Sequence, residues 1–313
     1  MSSADAKTLH VCFTMDVERI KSLSPPGGTP TWEFGELCVR TYCDALRRRG
    51  YPATLFIVPD TAIKQPRLFQ QMRADGHECG LHIHPQGWGD NYKNPDVHDY
   101  LGGYSGAQQF EMLQRAKDQW AHAVGFAPET FRAGNFSGND DTFRVLDALQ
   151  FRSSSTSQPG RIAPQLKAVW AGALRSVHRA HRSNRLIEGD LTLVEVPGTV
   201  DATRTDHWTG VGDARLEDWE APDILHAIED SLKWQFANKA RTHHLCLFTH
   251  SYVPFGDGDV EVEKPFGKSR LAVLHAVLDA IPAVAARFGL VAEGSTLSTV
   301  RERYLDPVPQ RGA

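Results

Sequence analysis

Gly80-Leu81-His82-Ile83-His84-Pro85 ends a short apolar run that begins at Cys79. Two other runs end in a similar way, at Thr14-Met15-Asp16-Val17-Glu18 and at Phe248-Thr249-His250. Such runs read as buried strands, and in a strand residues two apart point to one side. His82 and His84 therefore share a face, and so do Asp16 and Glu18. Two imidazoles and a carboxylate make a three-ligand metal site that leaves positions open for water. The remaining carboxylate and His250 are then candidates for base and acid. The pattern points to a metal-assisted hydrolase.

Around these runs, strands and helices alternate. Strands are expected at residues 11–15, 53–58, 79–84, 130–133, 151–156, 191–196, 244–249 and 290–291. Helices are expected at 32–49, 66–74, 107–124, 140–149, 224–237 and 270–288. This alternation predicts a parallel sheet, open or closed into a barrel. Both architectures place active sites at strand C-termini, where the reactive residues fall. The chain has no glycine-rich phosphate loop and no internal repeat, which argues against a nucleotide-driven enzyme. The loop at 86–106 carries Trp88, Tyr92, Tyr100 and Tyr104. Aromatic residues on a long loop over a rigid scaffold either line a cleft or pack the loop down.

With 313 residues and 41% hydrophobic content, the chain can build one large core or two smaller ones. A single catalytic domain over 1–313 is expected, with its barrel core at about 10–295 and a basic insertion at 161–188. The formal charge is −4, from 34 basic and 38 acidic side chains. That balance does not suggest a nucleic-acid binder. No run is long enough for a membrane span, and MSSADAKTLHVCF does not read as an export signal. The five cysteines are scattered, with no CxxC pair, so a reduced, cytoplasmic protein is expected. Residues 161–185 hold six Lys or Arg and no acid. They read as a basic helix that attracts a phosphorylated or acidic ligand, or as a solvated helix face.

The division of labour can be sketched from the same residues. One of Asp16 and Glu18 binds metal while the other accepts a proton from water acidified by the ion. A solvated strand end is the plainer reading for either carboxylate alone. His77, His98, His243 and His244 read as structural or surface residues. In Phe131-Arg132-Ala133-Gly134-Asn135-Phe136, Arg132 can pin a catalytic carboxylate. Gly134 permits close backbone approach, and the Asn135 N–H can face an oxyanion. His250 needs an orienting carboxylate. Asp201 and Glu195 are the available choices.

Together these segments resemble the polysaccharide deacetylase family, the NodB-homology or carbohydrate esterase family four proteins. FTMDVER looks like the family's first motif and HECGLHIHPQ its second. FRAGNFSGNDDTFRVLDALQF looks like the third, LVEVPGTV lies where a fourth would fall, and LCLFTH looks like the fifth. The resemblance implies a distorted (β/α)7 barrel, usually zinc-bound, that hydrolyses N-acetyl groups of amino sugars. It matches Asp16 to the base, Arg132 to the arginine that holds it, Asn135 to the oxyanion amide and His250 to the acid. The family's metal carboxylate normally follows the base directly. Val17 occupies that place here, so Glu18 takes the role. His82 matches the first metal histidine. Gln86 stands where the second normally lies, and His84 substitutes for it.

The expected activity is hydrolysis of an N-acetyl group from a sugar, glycan or glycolipid precursor, in surface polysaccharide biosynthesis. Metal ligands are Glu18, His82 and His84; zinc is the expected ion, with cobalt, nickel and manganese as alternatives. Trp88, Phe136 and Tyr252 are the expected substrate contacts. A deformylase or ring amidase acting on a small metabolite, and a non-catalytic glycan-binding protein on the same fold, are the rival readings.

Overall fold

The computed structural model describes residues 7–23 and 27–306. Seven strands run parallel along one curled sheet, and an eighth, Leu290–Gly294, pairs parallel with Lys7–Val17 off that path. The spatial order of the seven is His243–His250, Lys7–Val17, Ala53–Ile57, Glu78–Ile83, Thr130–Ala133, Ser153–Ser154 and Val194–Glu195. The edges approach each other through a backbone bond from Thr199 N–H to Cys246 C=O, 3.0 Å, and a parallel bridge between Arg215 and Phe248. The fold is thus the distorted (β/α)7 barrel expected.

Alternation along the strands separates two apolar sets. Val11, Phe13, Met15 and Val17 join the core that packs beneath the helices. Cys12, Phe56, Val194, Val196 and Cys246 form a second cluster within the sheet's curl. Leu297, Val300 and Tyr304 of the Leu297–Leu305 helix complete that cluster. This helix was not anticipated. The Leu297 amide donates to Glu78 Oε2 at 2.9 Å, which holds the helix at the end of the barrel where the Glu78–Ile83 strand begins.

Most expected helices are present within a residue or two. Trp32–Arg47 starts at a Thr31 cap that accepts from Phe34 N–H. Gly106–Val124 starts at a Ser105–Gln108 capping box and stops at Gly125, whose φ is 84°. Pro59, directly after the strand expected at 53–58, opens the short Pro59–Lys64 helix. A proline at the first helical position loses no hydrogen bond.

The basic segment corrects an expectation. It contains no α-helix; it folds as short strand pairs, Ile162–Ala163 with Ala168–Val169 and His178–Arg179 with Val194–Glu195. Three of its six basic residues meet acids: Arg175 meets Asp230 at 2.6 Å, Arg182 meets Asp190 at 2.6 Å and Arg185 meets Asp140 at 2.7 Å.

Candidate active site

Strand register gathers the distant motifs. Asp16 pairs with His250 on one neighbouring strand and Phe56 on the other, while His82 pairs with Arg132. Glu18 lies just past the strand end. Its amide donates to Ser251 Oγ at 2.9 Å and its carbonyl accepts from Thr61 Oγ1 at 3.0 Å. These bonds turn its carboxylate toward the histidines.

The histidines are held in complementary ways. His82 Nδ1 bonds the Arg132 carbonyl at 2.8 Å, and His84 Nδ1 bonds Asp99 Oδ2 at 2.6 Å. Each bond assigns the proton to Nδ1 and leaves Nε2 as a lone-pair donor. Both Nε2 atoms face Glu18 Oε1, at 3.4 Å from His82 and 3.2 Å from His84. The donor atoms of Glu18, His82 and His84 lie within 4.8 Å of one another. His82 Nε2 is buried and has no hydrogen-bond partner. An orphaned imidazole nitrogen beside a carboxylate and a second imidazole fits a divalent cation. Burial would raise the Glu18 carboxyl and lower His84. Instead their mutual attraction, with His82 acting on Glu18 and Asp99 on His84, holds Glu18 well below and His84 well above the ordinary range.

Gly134 has a specific reason to be glycine: a Cβ there would lie 2.5–2.6 Å from three atoms of the His84 ring. The close approach expected at Gly134 is thus made by a candidate ligand side chain.

Arg132 is 1% exposed and fully engaged. It donates to Asp16 Oδ1 at 2.8 Å, Thr14 Oγ1 at 2.8 Å, Ser155 O at 2.9 Å and Ser155 Oγ at 3.0 Å. Its guanidinium also lies 4.3 Å from the Phe56 ring centroid. Asp16 Oδ2 remains on the cavity side, 3.9 Å from His82 Nε2. Burial acts to raise the Asp16 carboxyl, but Arg132, His82 and His250 hold it below its ordinary value.

His250 Nδ1 bonds Glu217 Oε1 at 2.5 Å. The carboxylate that orients it is therefore neither Asp201 nor Glu195. Asp201 Oδ1 accepts from Thr203. Glu195 is buried among the Ser153–Ser157 residues and accepts from Ser157 N–H at 2.6 Å. Burial raises its carboxyl to about 7. Desolvation acts to lower the His250 imidazole, but Glu217 outweighs it and raises the pKa; Arg215 opposes Glu217, and Asp16 adds to it. A charged His250 is thus favoured below its raised pKa and lost as pH rises through it. Glu217→Gln is expected to shift the alkaline limb of the pH–rate profile to lower pH. An unmoved limb would separate His250 from proton donation.

Asp16, Glu18, His82, His84, Asp99 and His250 line a cavity of about 310 Å³ together with Gln86, Tyr100, Asn135, Phe136, Arg161, Arg215 and Tyr252. Asn135 and Phe136 both have left-handed backbones, with φ of 56° and 55°. The Asn135 side chain donates to Asp99 at 3.2 Å, which fixes the turn. Tyr252 stacks on His250 with ring centroids 4.8 Å apart. Trp88 is a correction: it does not line this cavity. Its indole N–H donates to Gln119 at 3.1 Å, and Arg115 lies 5.2 Å from its ring. Gln86 lines the cavity but is not in the ligand cluster. Sequence reasoning missed Asp99 and Glu217. Both lie in segments without strand or helix periodicity, and their signal was only an acid beside an aromatic residue, Asp99-Tyr100 and Glu217-Asp218-Trp219.

Comparison with known proteins gives the same architecture. The chain resembles a candidate polysaccharide deacetylase from Mycobacterium smegmatis with TM-score 0.60 and 20% identity, covering 97% of this chain and 92% of that one. It resembles PuuE allantoinase with TM-score 0.58 and 15% identity, covering 98% and 94%. A third structure, a candidate polysaccharide deacetylase from Pseudomonas aeruginosa PAO1, has TM-score 0.56 and 16% identity, covering 96% and 91%. At these identities the likeness is one of fold. No curated protein matches the sequence. Residues 30–154, which carry both histidines, Arg132 and Asn135, match the family model described as polysaccharide deacetylase. That match lies inside the barrel and spans its second and third motifs, so over these residues the chain is similar to polysaccharide deacetylases.

Proposed function

We propose that the chain is a metal-dependent amide hydrolase that removes an N-acetyl group from an amino sugar or small glycoconjugate. The observation that carries this reading is the convergence of His82 Nε2, His84 Nε2 and Glu18 Oε1 beside the Arg132-held Asp16. Two nitrogens and one carboxylate oxygen suit zinc, with cobalt, nickel and manganese as alternatives. A divalent ion held there supplies Lewis acidity to the acyl carbonyl and lowers the pKa of water.

The protein's own groups do the remaining work. Arg132 fixes one oxygen of Asp16, and the other takes the proton from the attacking water. The backbone N–H of Asn135 faces the carbonyl oxygen as negative charge develops on it. Glu217 holds His250 by Nδ1, so Nε2 carries the proton to the departing amine. Phe136 and Tyr252 bound the space for the sugar ring. A single catalytic domain, a role in surface polysaccharide biosynthesis and a cytoplasmic location belong to the same reading. Five buried free cysteines support a reducing compartment.

A small-metabolite amidase is the second reading. A cavity of about 310 Å³ is large enough for a small metabolite. The fold likeness to PuuE allantoinase is consistent with this reading.

The test compares two leaving groups. An amine needs protonation more than an activated aryl oxide does. His250→Ala is expected to reduce N-acetyl amide cleavage by about 10²–10⁴-fold while aryl acetate cleavage falls far less. Metal content should remain that of the wild type. Equal losses on both substrates would remove His250 from proton transfer, and an absence of acetate release from any N-acetyl amino sugar would reject the deacetylase reading.

A further inference from the structure

Arg161 is 3% exposed and lines the cavity shared by Asp16, Glu18, His82, His84 and His250. Among the described residues its guanidinium has no hydrogen bond and no ion pair, and its Nε is buried without a partner. Its Cζ lies 5.4 Å from the Phe136 ring and 5.6 Å from the Trp208 ring. Its backbone is anchored on both sides, by Arg161 N–H to Gln158 C=O at 3.0 Å and Trp170 N–H to Arg161 C=O at 2.7 Å.

Arg215, which lines the same cavity, is different. Its nitrogens lie 3.3 Å from Asp213, 3.6 Å from Glu217 and 3.4 Å from Asp218. Asp213, the acid that acts on Arg161 through space, is therefore already bonded to Arg215. A buried cation without a partner is costly, and two aromatic faces recover only part of that cost. Burial outweighs Asp213 and brings the Arg161 pKa down to about 10, so the group is still charged near neutral pH. A charged fork with free N–H groups at a cavity wall is a receptor for oxyanions.

We propose that Arg161 binds an anionic group of the substrate, so that the preferred substrates are small N-acyl compounds bearing a carboxylate or phosphate near the acyl amide. This assignment rests on the amide-hydrolase reading for its acyl group and on Arg161 alone for its charge. The cavity, about 310 Å³, has room for a small-molecule body beside Arg161.

Calorimetry tests it with three probes of one sugar: N-acetylglucosamine, N-acetylmuramic acid and N-acetylglucosamine 6-phosphate. The zinc-loaded Asp16→Asn protein is used so that binding is read without turnover. At least one anionic probe is expected to bind about 10- to 100-fold more tightly than the neutral sugar, the range of a charge-assisted hydrogen bond. Which of the two does so identifies carboxylate or phosphate. Adding Arg161→Gln should bring the anionic-to-neutral ratio close to one. Arg161→Lys should leave a reduced preference, and it carries the test if the glutamine variant fails to fold. No anionic preference, no measurable binding by either anionic probe, or a ratio unchanged by substitution would overturn the proposal. Acetate release by the wild-type protein is scored separately. Arg161-dependent binding without acetate release rejects deacetylation and keeps the anion site; equal turnover of neutral and anionic probes, without Arg161-dependent binding, does the reverse.

Discussion

Asp16→Asn is expected to keep the divalent ion and lose about 10²–10⁴-fold in kcat. The asparagine keeps the size of the aspartate and can still accept from Arg132, which now holds Oδ1 at 2.8 Å. It cannot accept a proton from water. Glu18→Ala should behave differently, losing metal and activity together, because its oxygen sits between the two Nε2 atoms. Metal content by elemental analysis and kcat by acetate release are measured on the same preparations. If Asp16→Asn loses the metal and Glu18→Ala keeps it, the roles of the two carboxylates are reversed.

His82→Ala and His84→Ala are each expected to reduce metal content from about one ion per chain to a small fraction, since a structural or catalytic zinc site needs its full ligand set. The loss should also appear as stability. An ion at a thousandfold excess over its Kd stabilises the native state by about 4 kcal/mol. Chelation should therefore lower the wild-type Tm and leave that of either variant nearly unchanged. Asp99 contributes from behind His84 through the 2.6 Å bond to Nδ1, so its removal should weaken metal binding less than loss of the ring itself. Full occupancy in both histidine variants would remove the site.

The parts of this site that follow a strand's two-residue period were readable before any coordinates. His82 with His84 and Asp16 with Glu18 are of this kind, although Glu18 owes its orientation to Ser251 and Thr61 rather than to the pleat. The alternation of elements likewise indicates a parallel barrel. It does not reveal which strands are neighbours, and the pairing of Asp16 with His250 depends on that order. Glu217 and Asp99 reach the site from irregular segments whose path is set by tertiary packing. Glu195 is an instructive error. Val194 and Val196 point into the barrel cluster, so the same period-two rule places the side chain between them on the other face. The basic stretch misled for another reason: a count of charges along the chain omits the acids at Asp140 and Asp230 that fold back onto it.

The most direct measurement is a crystal structure of the zinc-loaded protein with anomalous data collected at the zinc edge. One peak is expected, within coordination distance of Glu18, His82 Nε2 and His84 Nε2, with Asp16 Oδ2 facing the ion's open side. A zinc-saturated protein with no peak there, or with its peak on a different set of side chains, would contradict the metal assignment and the hydrolytic chemistry built on it.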